Sequence, residues 1–202
     1  MARPLFLLPV LALLPSPAGA FSFGPPDGFA GNPPNNITCT ACHSQFLLNE
    51  GIGIFSLEGL PGPFEGGLTY DLTVRIEDPG QGRWGFEVTV IDPISRQQAG
   101  QILVTDPVNT QLGVGAGDAP DYLKQTTAGT HEGTLHGPVS WAFRWTAPVT
   151  LKEADFYLVG NAANGDGSPD GDYIYGLMLS TSSSPTAVSP TTWGRVRTLY
   201  LR

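Results

Sequence analysis

Between residues 68 and 146 apolar and polar residues alternate with a period of two, which is the pattern of strands with one buried face. Leu68, Tyr70, Leu72, Val74 and Ile76 alternate with Thr69, Asp71, Thr73, Arg75 and Glu77. Trp84, Phe86, Val88 and Val90 alternate with Gly85, Glu87 and Thr89, and Val139, Trp141, Phe143 and Trp145 alternate with Ser140, Ala142 and Arg144. The turns Asp78-Pro79-Gly80, Asp92-Pro93 and Ala147-Pro148 punctuate these runs. Ala99 to Thr105, Tyr122 to Thr127, Ala154 to Gly160, Tyr173 to Ser180 and Trp193 to Leu201 supply further candidate strands. No helical period persists for three turns. Seven or eight strands separated by turn residues predict an all-β chain, an antiparallel β-sandwich of immunoglobulin-like type. The alternation assigns Trp84, Trp141, Trp145, Phe143 and Tyr157 to the core, and Met178 with them.

The flanks read differently. Arg3, the apolar run Leu5 to Leu14 and the small residues Ala18-Gly19-Ala20 form a secretory leader over residues 1–20, too short to span a bilayer. The chain is therefore expected to be exported to a periplasm, a cell surface or the extracellular medium. Residues 21–67, rich in Gly, Pro and Asn, read as an irregular N-terminal arm. The sandwich is assigned to residues 68–180. Residues 181–202 read as a Ser/Thr/Pro-rich linker followed by a last strand or a sorting tail. Roughly 180 residues after the leader suffice for one domain with a core. The formal net charge is −8, and loss of Arg3 with the leader makes it one unit more negative. A nucleic-acid surface needs the opposite sign, whereas a basic protein partner would be attracted. No further apolar run reaches membrane-spanning length.

The arm holds the chain's only two cysteines, in Cys39-Thr40-Ala41-Cys42-His43. Cys-x-x-Cys-His is the attachment signature of c-type haem. Two thiols at this spacing can each form a thioether with a haem vinyl group, and the adjacent imidazole can take one axial position on the iron. On this reading Cys39 and Cys42 hold one covalent haem c, and His43 is its proximal iron ligand. Two other readings remain open: a Cys39–Cys42 disulfide, or a metal site that would need ligands from elsewhere. The other histidines are His131 and His136, both in Gly-containing loops. His131 is the expected distal ligand, and Met178 is a further candidate given the Met/His ligation of some cytochromes. Asn161, Asn164, Asp166, Asp170 and Asp172 lie in a loop dense in oxygen donors. They would suit calcium, although the EF-hand spacing and closing Glu are absent; the alternative is a turn whose side chains bond local backbone. No nucleophile elbow, zinc-protease helix or phosphate loop appears, so hydrolase chemistry has no support.

Several runs together carry a resemblance: Thr38-Cys39-Thr40-Ala41-Cys42-His43, Gly82-Arg83-Trp84-Gly85-Phe86-Glu87, Trp141 to Pro148, Phe156 to Gly165, and Gly171-Asp172-Tyr173-Ile174-Tyr175. The chain resembles the choice-of-anchor domain of type V of bacterial surface proteins, which is similar to the reelin-type (reeler) β-sandwich. The resemblance covers most of residues 22–180. It implies an exported, often surface-attached sandwich with Cys-x-x-Cys-His near its start. It also implies a His within Tyr122 to Thr126, where this chain carries Gln125. Two functions are thus expected. The first is a single-haem, cytochrome-like domain for electron transfer or redox sensing. The second is a non-catalytic adhesion or structural module with a Cys39–Cys42 disulfide.

Overall fold

The computed structural model describes residues 21–117 and 119–185. The leader and the expected strand at 193–201 lie outside the described residues. Nine strands are present among them: β1 (Ile54–Glu58), β2 (Thr69–Glu77), β3 (Arg83–Ile91), β4 (Gln101–Val104), β5 (Thr110–Gly113), β6 (Tyr122–Gln125), β7 (Val139–Thr146), β8 (Glu153–Ala163) and β9 (Tyr173–Ser182). They form two antiparallel sheets, ordered β1-β2-β7-β4 and β5-β6-β3-β8-β9. The chain is a β-sandwich, as the alternation predicts.

Register carries the alternation into the core. In one sheet Leu72, Val74 and Ile76 lie opposite Phe143, Trp141 and Val139. In the other, Val88 and Val90 lie opposite Leu158 and Phe156. The facing rows interdigitate, with Trp84, Trp141, Trp145, Phe86, Phe143 and Phe156 fully buried. Each buried indole N–H finds a loop carbonyl: Trp84 donates to Thr134 at 3.0 Å, Trp141 to Gly129 at 2.8 Å and Trp145 to Ala99 at 2.8 Å. The tryptophans therefore fix the loops as well as fill the core, since an unpaired buried N–H would be costly.

Two strands lie where the sequence reads as arm or loop. β1 falls inside residues 21–67, and β5 inside a stretch with four glycines and prolines around it. Both are short edge strands whose weak alternation is overridden by pairing with a longer neighbour. β1 places Phe55 against the inner face of β8, where Gly160 leaves room; a Cβ there would lie 2.7 Å from the Phe55 ring.

The larger departure concerns the second face of β3. Gly85, Glu87 and Thr89 read as solvent-facing, yet all three are buried. The arm before β1 folds across the outer face of the five-stranded sheet and covers Glu87, while Gly85 lies beneath the Gln125 side chain and Thr89 donates to Asp121 O. The arm's ties are specific. Phe29 N–H donates to Glu87 at 2.5 Å, Asn32 Nδ2 to the Tyr122 hydroxyl at 3.0 Å, and Asn49 N–H to Ile174 O at 2.8 Å. From the sheet side, Lys124 Nζ donates to Pro25 O and pairs with Asp27, each at 2.6 Å. Met178 shares this outer face on the edge strand β9, where it lines an open groove beside Gly31 and Thr38 of the arm, and is 48% exposed. It is not a core residue: its partner across the ladder is Tyr157, itself on the outer face and only half-buried.

Candidate functional site

The Cys-x-x-Cys-His segment forms one tight turn. Thr38 Oγ1 accepts from Thr40 N–H at 3.3 Å and starts a single turn of 3-10 helix over Cys39–Ala41. Cys42 N–H and His43 N–H both bond Cys39 O, at 3.2 and 3.0 Å. This winding carries Cys39, Cys42 and His43 to the rim of one cavity. Both thiols are free, Cys39 half-buried and Cys42 exposed. Burial, with the Glu87 carboxyl nearby, pushes the Cys39 thiol up to about 12. A thiol held protonated at neutral pH is a poor nucleophile, so Cys39 lacks the activation of a thioredoxin-like redox cysteine.

His43 is fixed from outside the arm. Its Nδ1 lies 2.7 Å from Asp172 Oδ2. Asp172 is buried at the start of β9, and its other oxygen accepts from Asn164 N–H at 3.0 Å. An ionised carboxylate only accepts, so Nδ1 carries the proton and the lone pair of the neutral ring resides on Nε2. Asn161, from β8, brings its Nδ2 to 3.4 Å from Nε2, long for a hydrogen bond, while its Oδ1 is buried without a partner. A carboxylate behind the imidazole, with Nε2 in front met only by the long Asn161 contact, is the usual outer-shell arrangement of a metal-binding histidine.

The cavity lies between the arm and the outer face of β3 and β8. It encloses about 260 Å³ and opens to solvent at its mouth, which puts it near the lower end of the range for small-molecule sites. Phe21, Pro25, Pro26 and Phe29 of the arm form an apolar wall. Gly85 and Ala163 make a flat floor with Trp84 and Phe86 beside them. Arg83 stands at the rim, 3.8 Å from the exposed Glu132 carboxylate. Gln125, at the end of β6, closes the side toward β6. Two thiols, an oriented imidazole, an apolar slot and a rim guanidinium able to meet a carboxylate fit a covalent haem.

The remaining expected site residues are placed elsewhere. His131 does not line the cavity. The 3-10 turn Ala128–Thr130 ends in His131 at φ 46°, which lays its ring against Trp141 with 5.5 Å between centroids. A distal role for His131 is therefore not supported by its position. His136 accepts from Gly80 N–H at 2.9 Å and braces a loop. Met178 is not among the cavity residues either.

Several of the oxygens expected to suit calcium are used by their own loop. Asn164 Oδ1 accepts from Asp166 N–H at 3.0 Å, Asp166 Oδ1 from Ser168 N–H at 2.7 Å, and Asn164 Nδ2 donates to Asp170 O at 3.1 Å. Asp172 is committed to His43 and Asn161 points toward the same ring. Among the described residues no group of three or more His, Cys, Asp or Glu is gathered as a metal shell. These local bonds are of the kind the turn reading expects, and the loop ends on Asp172.

Two partners of the site are not apparent from the sequence. Asp172 lies 129 residues from His43 and reads only as one acid of the loop. Glu87 occupies a polar position of an alternating strand and gives no sign that the arm will bury it. Gln125 is visible in the sequence as a departure from the resembling family.

No family model matches the chain, and no curated protein matches it. Among solved structures it is similar to the Reelin-N domain of F-spondin, at 15% identity over 72% of this chain and 97% of that one, with a TM-score of 0.47. It is also similar to the human F-spondin reeler domain, at 16% identity over 70% and 96%, with a TM-score of 0.47. A cohesin module from a Clostridium perfringens family 33 glycoside hydrolase aligns at 8% identity over 66% and 98%, with a TM-score of 0.47.

Proposed function

We propose that this chain is an exported β-sandwich domain that carries one covalent haem c and serves electron transfer or redox sensing at the cell envelope. The observation behind the proposal is the environment of His43: Nδ1 is held by Asp172 at 2.7 Å, and Nε2 opens on an apolar cavity that Cys39 and Cys42 also line. Haem supplies a one-electron iron couple. The chain supplies the rest. Cys39 and Cys42 anchor the group, and His43 binds iron through Nε2. Asp172 fixes the ring's tautomer and strengthens its donation. Arg83 meets a carboxylate at the rim, and the arm's Phe and Pro residues exclude water. The acidic chain would steer a basic redox partner, an attraction that weakens with salt. No helix among the described residues is long and apolar enough to cross a membrane.

The test is expression with a haem-maturation system, followed by a haem-stained denaturing gel and a pyridine haemochrome spectrum. Covalent haem that disappears in a Cys39→Ser, Cys42→Ser variant is the expected result. A polypeptide free of covalent haem refutes the proposal.

A second reading is a non-catalytic adhesion or structural module, exported like the first. It is favoured by the lack of any gathered metal-ligand group among the described residues. It predicts a Cys39–Cys42 disulfide, seen as a mass two units lower than that of the reduced chain.

A further inference from the structure

We propose that Gln125 forms the second polar wall of the cavity: its Nε2 donates to a small exogenous ligand, diatomic or anionic, that binds the iron face opposite His43. This rests on the haem reading above. It adds that the second axial position stays open.

The argument begins with the sheet. β6, β3 and β8 are neighbours, so Gln125, Gly85 and Asn161 lie on three successive strands. Asn161 is the residue next to His43 Nε2. The backbones at Gln125 and Asn161 are therefore about two strand spacings apart, roughly 10 Å. Between them lies Gly85, which has no side chain. A Cβ at Gly85 would lie 2.9 Å from Gln125 Nε2, so the amide hangs directly over this bare floor.

Gln125 is 5% exposed and held at both ends. Its Oε1 accepts from Phe86 N–H at 2.9 Å, where β3 has lost its ladder partner, and its main-chain oxygen accepts from Gln111 Nε2 at 2.8 Å. With Oε1 committed as an acceptor, Nε2 is the free end. Among the described residues Nε2 makes no hydrogen bond, and Gln125 lines the cavity, where this N–H₂ can meet a ligand or water.

The iron-ligating side chains are elsewhere. His131 is turned onto Trp141, His136 braces the Gly80 loop and Met178 lies outside the cavity. A Gln amide is a weak ligand for haem iron but a good donor to an acceptor atom bound there. This wall therefore favours a ligand that brings its own donor pair to the iron.

The experiment uses the haem-loaded protein. The ferric form is expected to be high-spin or water-ligated, and the dithionite-reduced form to bind carbon monoxide with a shifted Soret band. Gln125→Glu keeps the acceptor for Phe86 N–H and removes the donor. It should weaken ferric azide binding at least tenfold and shift the C–O stretch of the ferrous carbonyl. Gln125→His should convert the ferric spectrum to six-coordinate low-spin. A wild-type protein that is already low-spin and unresponsive to carbon monoxide overturns this proposal and leaves covalent haem intact. So does a Gln125→Glu variant with azide affinity within twofold of wild type and an unmoved C–O stretch. Absence of covalent haem removes both proposals together.

Discussion

Glu87→Gln is expected to remove about 3 kcal/mol of the protein's loss of stability between pH 5 and pH 8. Glu87 is fully buried beneath the arm. Its Oε2 accepts from Phe29 N–H, but Oε1 has no partner. The nearest cation, Lys124, is engaged by Pro25 O and Asp27. Burial consequently pushes the carboxyl up from its ordinary 4.5 to about 8. The unfolded chain releases this proton near pH 4.5, whereas the folded chain keeps it until near pH 8. The stabilisation is therefore complete below the unfolded value and is lost as pH rises through the folded one. Each unit within that window is worth about 1.4 kcal/mol, so the wild type should lose about 3 kcal/mol between pH 5 and pH 8 from this group. Asp78, also buried and shifted upward, adds loss in the same direction, but it is common to both proteins and cancels in the comparison. Gln keeps the shape and the acceptor for Phe29 N–H and cannot ionise. Urea denaturation followed by the fluorescence of the buried tryptophans, at each pH unit from 5 to 8, gives the two curves. Relative to pH 5, the variant should gain about 3 kcal/mol on the wild type by pH 8. Parallel curves, or a variant that falls behind at pH 8, would show that Glu87 ionises freely and that the arm does not seal it.

Replacing Asp172 with Asn takes the charge from behind His43. In the haem-loaded protein the ferric state loses donation and the midpoint potential should rise by about 60 mV, a tenfold change for one electron; potentiometric titration reads it, and an unmoved potential would mean that Asp172 only shapes the loop. Trp141→Ala should cost about 3–5 kcal/mol in chemical denaturation, since it empties the centre of the core and orphans the Gly129 carbonyl. Calcium should leave the melting temperature where a chelator leaves it, because oxygens of Asn164, Asp166 and Asp172 already accept hydrogen bonds from the loop and His43; a clear rise with added calcium would contradict that arrangement.

The period-two alternation determined the sandwich and its core. Trp84, Phe86, Trp141, Phe143 and Trp145 sit inside because alternation in a strand is a statement about faces that any sheet must obey. The same rule misplaced Met178 and the polar face of β3. Alternation says which residues share a face, not what covers that face. Whether an outer face meets water or a folded-back arm is decided by contacts between segments distant in sequence, such as Phe29 with Glu87 and His43 with Asp172. The residues of the attachment motif were legible because their spacing is local chemistry. Their setting was not. The carboxylate behind His43, the bare floor at Gly85 and the amide of Gln125 come from a loop and two strands, and only their packing brings them to one cavity.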